Sequence, residues 1–238
     1  MPTVLDSSTL RRGPNTASYC GDYLDDYKIV YIQGTDGALS NMDVDCDGAQ
    51  GGSADDGRCD SSTDTQSISS FQSTIASYKA GIRDLDANIH PYIVFGNEGT
   101  KRKWKTFDPQ EVGIKPLSVM AVVCGGKLVY GASISVATAC FGTRMSGNSG
   151  YDEDDVLYIA FVGDDAVPGA KGANWSAANY EAFSASIQDL GDRLVERIGV
   201  GNASDKEDAG TTTKMTLLAG AYPVLPVLAS LMALLILI

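Results

Sequence analysis

Ser118-Val119-Met120-Ala121-Val122-Val123-Cys124-Gly125-Gly126-Lys127-Leu128-Val129-Tyr130-Gly131 runs directly into Ala132-Ser133-Ile134-Ser135-Val136-Ala137-Thr138-Ala139-Cys140-Phe141-Gly142. Val119–Val123 and Lys127–Tyr130 are short apolar runs, rich in β-branched residues, on either side of Gly125-Gly126. That is the pattern of a β-hairpin. Ile134-Ser135-Val136-Ala137 reads as a further strand.

Similar pieces lie on both sides of this stretch. Tyr27–Ile32 is a strand that stops at Gly34, and Tyr92–Phe95 is one closed by Gly96. Val156–Val162 is a longer apolar run, which suits a strand covered on both faces at the centre of a sheet. Ile68, Phe71, Ile75 and Tyr78 recur at helical spacing, as do Phe183, Ile187, Leu190, Leu194 and Ile198. The second of these helices ends near Gly199-Val200-Gly201. Gly48 to Thr65 is a Gly-, Ser- and Asp-rich loop. Lys101-Arg102-Lys103-Trp104-Lys105 is a solvated basic turn. The expected fold is β-rich α+β: one domain, a barrel or strongly curved sheet, with a few peripheral helices.

At 238 residues and 44% apolar content, the chain can bury one sizeable core. Its net charge of −12 excludes an ordinary nucleic-acid binder, because phosphates require Lys and Arg. An acidic surface concentrates cationic partners, and it also serves solubility alone. Five cysteines suit a secreted domain with a few bridges. Cys46 and Cys59 bracket the Gly-rich loop. Cys124 and Cys140 flank the Tyr130–Ala132 stretch, and Cys20 is left over under that pairing. A zinc site is disfavoured, since no Cys-x-x-Cys occurs and His90 is the only histidine.

The two flanks that meet at Gly131 and Ala132 resemble fungal chitosanases of glycoside hydrolase family 75. In that family they are separated by an acidic loop of the form Trp-Gly-Asp-Thr-Asn-Gly-Asp-Asp-Gly, followed by Gly-Glu just before Ala-Ser-Ile. The Asp of that loop and that Glu are the family's catalytic pair, and neither stands between Gly131 and Ala132. Gly34–Gly37, Asn41–Gly48, His90–Glu98, Phe107–Gln110 and Asp155–Phe161 are similar to other family blocks, in family order. The resemblance covers residues 20–199. It leaves residues 1–19 unassigned, 200–214 as a polar linker and 215–238 as a hydrophobic tail.

The resemblance implies an inverting endo-chitosanase, with chitosan or a related cationic polysaccharide as partner and no cofactor. Inversion needs an acid and a base about 6.5–9.5 Å apart on opposite sides of the scissile bond. With no catalytic residue left at the join, the chain is expected to be inactive, which leaves a cell-wall polysaccharide binder as the alternative. Glu98, Asp108 and Asp152 are the carboxylates that would have to substitute, and nothing in the sequence supports such a swap.

Asp43, Asp45 and Asp47 alternate with Val44 and Cys46, so an extended segment would present all three carboxylates on one side. They are read first as substrate-binding carboxylates for glucosaminium amines, next as a solvated acidic turn, and last as a calcium loop. A calcium loop beginning at Asp43 needs Glu at its twelfth position, which is Ala54. Asp152-Glu153-Asp154-Asp155 is a solvated strand entry. His90 is structural.

Asn174-Trp175-Ser176 and Asn202-Ala203-Ser204 are glycosylation sequons. From Met215 to Ile238 no charge occurs. Small residues, a polar spacer and an apolar run follow one another in the order of a glycosylphosphatidylinositol signal. Asn202 is the first candidate for attachment and Gly210 the second, with a tail-anchor helix as the alternative. Pro223 and Pro226 suit a discarded peptide better than a permanent helix. Met1–Arg12 has no apolar core of a secretory signal, so the start of the natural protein is expected upstream. The expected location is extracellular or at the cell surface.

Overall fold

The computed structural model describes residues 4–5, 17–60, 62–96, 106–124, 127–129, 133–199 and 234–237. Its strands are β1 (Ala17–Cys20), β2 (Ile29–Gly34), β3 (Ser40–Met42), β4 (Tyr92–Val94), β5 (Ser118–Cys124), β6 (Lys127–Val129), β7 (Tyr151–Phe161) and β8 (Leu234–Leu237). The helices are α1 (Leu24–Tyr27), α2 (Gln72–Tyr78), α3 (Ile134–Phe141) and α4 (Tyr180–Gly199).

The strands form one sheet in the order β1-β2-β7-β5-β8-β4, with β3 added to β7 and β6 to β5. All described pairings are antiparallel except β4 with β8. Among the described residues the sheet is open, with β1 and β4 at its two ends, so they do not form the expected closed barrel. A sheet closes only when its end strands pair, and here the core is completed by helices and loops instead.

β7 is central, as its apolar run implied. Its second half pairs with β2 on one side and β5 on the other. Val156, Ala160 and Phe161 are buried there, while Asp152 and Glu153 at its start are exposed. Phe183, Ile187 and Leu194 of α4 are buried, and the helix packs on β5. Phe71 and Ile75 carry the apolar side of α2. Ile68 lies before that helix and is 55% exposed, so it does not belong to the packed stripe. Tyr27 and Lys28, read as the start of a strand, close α1, with Lys28 in a left-handed conformation.

The hairpin around Gly125-Gly126 is present, with Cys124 paired to Lys127 and Val122 to Val129. The strand read at Ile134–Ala137 is a helix. Ile134, Ser135, Val136, Ala137 and Cys140 of α3 are all buried. A helix covered on most of its faces shows no amphipathic period, and its β-branched residues imitate a strand. Tertiary anchoring decides the outcome, because Cys140 is bonded to Cys124 at the end of β5. Both expected disulfides form, with Cα–Cα distances of 5.8 Å for Cys46–Cys59 and 5.7 Å for Cys124–Cys140. Cys20 stands outside both, buried, with its thiol toward the Ser18 carbonyl.

Candidate functional site

The acidic segment after β3 is held in place by the turns around it. Gly48 has φ +113°, and a Cβ there would lie 2.2 Å from the Leu85 carbonyl oxygen. Only glycine lets the chain pass so close. The Gly48 and Ala49 amides then donate to the carbonyls of Gln66 and Leu85. Cys46–Cys59 closes the loop that follows. Arg58 ties this loop to α3 and to the segment after it, reaching Thr138 Oγ1 at 2.7 Å and the Met145 carbonyl at 3.3 Å.

Within that frame the three aspartates differ. Asp43 is exposed, and its carboxylate accepts one hydrogen bond, from Asn41 Nδ2 at 3.1 Å. Asp45 Oδ1 accepts from the Asp47 amide at 2.7 Å and from the Tyr92 hydroxyl at 2.9 Å. The Asp47 carboxylate accepts from the Gln66 amide at 2.6 Å and from Gln66 Nε2 at 3.1 Å. Burial pushes the Asp47 carboxyl above the usual carboxylate range, the Gln66 amide opposes this, and the charge of Asp45 adds to it. The Tyr92 phenol is fully buried and also reaches the Asp47 carbonyl at 2.8 Å. Burial first, then the Asp45 charge, drive its pKa far up, so it stays protonated and donates.

The C-terminal flank of the join meets this cluster. Ser133 bridges to Asp45 in parallel. Its amide donates to the Tyr92 carbonyl at 2.9 Å, and its hydroxyl accepts from the Tyr92 amide at 3.2 Å. The Ile134 amide donates to the Asp45 carbonyl at 3.2 Å, and the Ser135 amide to the Ala87 carbonyl at 3.1 Å. Any residue immediately before Ala132 is therefore two positions from an anchored serine, beside Asp45 and Tyr92. Gly131 and Ala132 themselves lie outside the described residues, as do Glu98, Lys101–Lys105 and Asn202.

Other sequence candidates fall elsewhere. Asp108 accepts the amides of Gln110 and Glu111 in an exposed turn. Asp152 is in the exposed start of β7, a stretch that runs beside β3 and so beside the approach to Asp43. Asp55, next to the calcium-loop position, accepts the amides of Gly51 and Gly57 of its own loop. Asn174 is exposed, while Trp175 of the same sequon is buried and donates from Nε1 to the Gly169 carbonyl.

His90 is structural, as expected. Its Nδ1 accepts from the Asp86 amide at 2.9 Å, so the proton sits on Nε2 and is donated to the Trp175 carbonyl at 2.9 Å. Burial lowers its pKa. Tyr92, Gln66 and Ser133 were not singled out as site residues in the sequence. The available signal was that a tyrosine in a buried strand must find a partner for its hydroxyl.

Residues 42–197 match the family model described as fungal chitosanase of glycosyl hydrolase group 75. The chain is 46% identical over 191 positions to endo-chitosanase B of Aspergillus oryzae, covering 74% of this chain and 75% of that protein. It is 46% identical over 192 positions to an endo-chitosanase of Aspergillus fumigatus, covering 75% of each. It is 30% identical over 173 positions to endo-chitosanase C of Aspergillus oryzae, covering 66% of this chain and 38% of that protein. No solved structure matches. The first alignment covers 74% of 238 residues, about 176, within 191 positions, so about 15 positions have no counterpart in this chain. The third leaves a similar shortfall, about 157 residues within 173 positions. The match covers well over half of the molecule and includes both flanks of the join, and the chain belongs to the fungal chitosanases of glycosyl hydrolase group 75.

Proposed function

We propose that this protein is an endo-chitosanase scaffold, acting on the β-1,4 linkages between glucosamine units of chitosan. Its inverting acid and base belong to a segment absent between Gly131 and Ala132. The observation that carries this is that the match to endo-chitosanase B runs over about 15 more positions than this chain supplies, while the family match at residues 42–197 spans both flanks of the join. An Asp-bearing loop with a following Glu fits such a length. The anchored position of Ser133 supports the reading, because it would deliver that Glu beside the acidic segment.

Asp43 is the substrate-binding carboxylate in this reading, since it faces solvent with one neutral partner. Asp45 and Asp47 shape the site through Tyr92 and Gln66. The test is reducing-end release from soluble chitosan by this chain and by a version with the relatives' segment inserted after Gly131. The inserted version is expected to hydrolyse and this chain to be silent. Hydrolysis by this chain at a comparable rate would sink the proposal. Retention of both on insoluble chitosan, with neither hydrolysing, would favour the inactive polysaccharide binder.

The two disulfides fit an oxidising, extracellular setting. In a secreting host the tail composition supports cleavage after Asn202 and a glycolipid anchor there, which inositol-specific phospholipase would release; cleavage would remove β8 with the tail, so only the uncleaved chain keeps that strand. A protein that stays membrane-bound with its tail peptide intact would refute the anchor.

A further inference from the structure

β5 offers one edge to β7 and the other to two strands in succession. Val122 pairs with Tyr158 of β7 and with Val129 of β6, and Met120 pairs with Ala160 of β7 and with Leu234 of β8. β6 and β8 therefore share an edge, and both run antiparallel to β5 along it. β6 ends opposite Val122. A strand continuing in the β6 register would pass Ala121 and then lie opposite Met120, Val119 and Ser118. Those last three places are held by Leu234, Leu235 and Ile236. On its far side β8 pairs with β4, Leu235 with Tyr92 and Leu237 with Val94.

We propose that the slot between β4 and β5 is the seat of the segment missing at the join, and that the C-terminal strand β8 is a displaceable substitute within it. The inference rests on the proposed function only for the existence of that segment. A strand slot with two bonded edges recognises an extended backbone of either origin, because main-chain hydrogen bonds do not read side chains. Three residues along the slot span about 10 Å. A segment of about 15 residues has length enough to run through it, turn beyond Ser118, and return to Ser133 beside Tyr92. The route would put the loop of the segment at the open end of the slot. It would put its last residue next to Asp45, so one strand addition completes both sheet and site.

Disulfide trapping tests this in the full chain. Val94 and Leu237 are paired across neighbouring strands, and Val94 is 41% exposed. Neighbouring strands lie about 4.8 Å apart, within the range that a disulfide can bridge. The variant Val94→Cys with Leu237→Cys is oxidised mildly, and the 94–237 peptide link is quantified by mass spectrometry. Ile68→Cys with Leu237→Cys sets the background. The native Cys46–Cys59 and Cys124–Cys140 links in the same digest report that the domain has folded. The same cysteine pair is then placed in the version with the relatives' segment inserted.

This chain is expected to form the 94–237 link well above background, and the inserted version to fall to background. Background linking in this chain, with both native bridges intact, would overturn the substitute strand. Undiminished linking in the inserted version would overturn the slot as the seat of the segment. Chitosan hydrolysis is read separately. Hydrolysis with undiminished linking sinks the slot and leaves the proposed function standing. Loss of linking without hydrolysis does the reverse.

Discussion

The acidic segment and the join lie side by side but are held very differently. Asp43–Gly48 is fixed by a disulfide, by a glycine that no other residue can replace, and by hydrogen bonds to Tyr92, Gln66 and Leu85. The join is anchored on each side, by the β5–β6 ladder before it and by Ser133 and α3 after it, with Cys124–Cys140 linking the two flanks. The first region has its carboxylates and has committed two of them to structure. The second has anchored flanks and no carboxylate in Tyr130-Gly131-Ala132. Asp45 and Asp47 are thus poor replacements for a missing acid or base: moving Asp45 would take an acceptor from the buried Tyr92 hydroxyl, and moving Asp47 would break both of its bonds from Gln66.

The largest expected effect breaks this contrast in function. In the version with the relatives' segment inserted, replacing the Glu that precedes Ala132 by Gln should lower kcat by roughly 10²–10⁴, the usual worth of a general acid or base. Asp43→Asn in the same background should raise KM for chitosan and leave kcat within a few-fold, with unfolding free energy unchanged to about 0.5 kcal/mol. A collapse of kcat in the Asp43 variant would mean that the acidic segment contributes to the chemistry itself.

Much of this arrangement was legible in the sequence. Gly125-Gly126 between two apolar runs specified the hairpin, and the long apolar run in β7 specified its central place. Both disulfides followed from where the cysteines fall. What failed was α3, because burial on most of its faces erases the period by which a helix is recognised. The barrel failed because local patterns give strands but not whether the end strands meet. In the site, the alternation of Asp43, Asp45 and Asp47 was visible. Their unequal roles depend on Tyr92 and Gln66, which are 47 and 19 residues from their partners. Such contacts leave no local trace.

A second prediction attacks the acidic segment through its backbone. Gly48→Ala must take φ +113° with a Cβ 2.2 Å from the Leu85 oxygen, so the turn has to open. The expected cost is about 3 kcal/mol or more, read by urea unfolding. Removing Cys124–Cys140 by Ser substitution should cost about 3 kcal/mol, from a closed loop of similar length to the 15-residue reference. If the disulfide loss proves much the larger, the join and not the acidic segment is the more firmly held region. Tyr92→Phe removes one donor from Asp45 Oδ1 and the Asp47 carbonyl, and should cost about 1–2 kcal/mol.

The smallest effect is a pH dependence that belongs to neither region directly. His90 ends the segment that carries Leu85 and Ala87, the acceptors for Ala49 and Ser135, so it backs the acidic segment and α3 together. Burial holds its folded pKa below the ordinary imidazole value of 6.5. Between those two values the unfolded chain binds the extra proton and the folded one does not. The contribution of His90 is therefore fully present above about pH 6.5 and is lost as pH falls toward the folded value, at up to about 1.4 kcal/mol per pH unit. It is the only histidine in the chain, and the raised carboxyls of Asp47 and Asp192 act with the opposite sign, so falling stability between pH 6.5 and 5.5 points to His90. Urea unfolding at pH 7.5, 6.5 and 5.5 should give falling stability over the last step. His90→Gln keeps a donor for the Trp175 carbonyl without a titrating ring, and should flatten that step. A slope that survives in the Gln variant would place the titrating group elsewhere. If the slope is His90's, both the acidic segment and the helix after the join loosen in the mild acid where glucosaminium substrates carry most charge. That sets stability and substrate charge in opposition along the same pH axis.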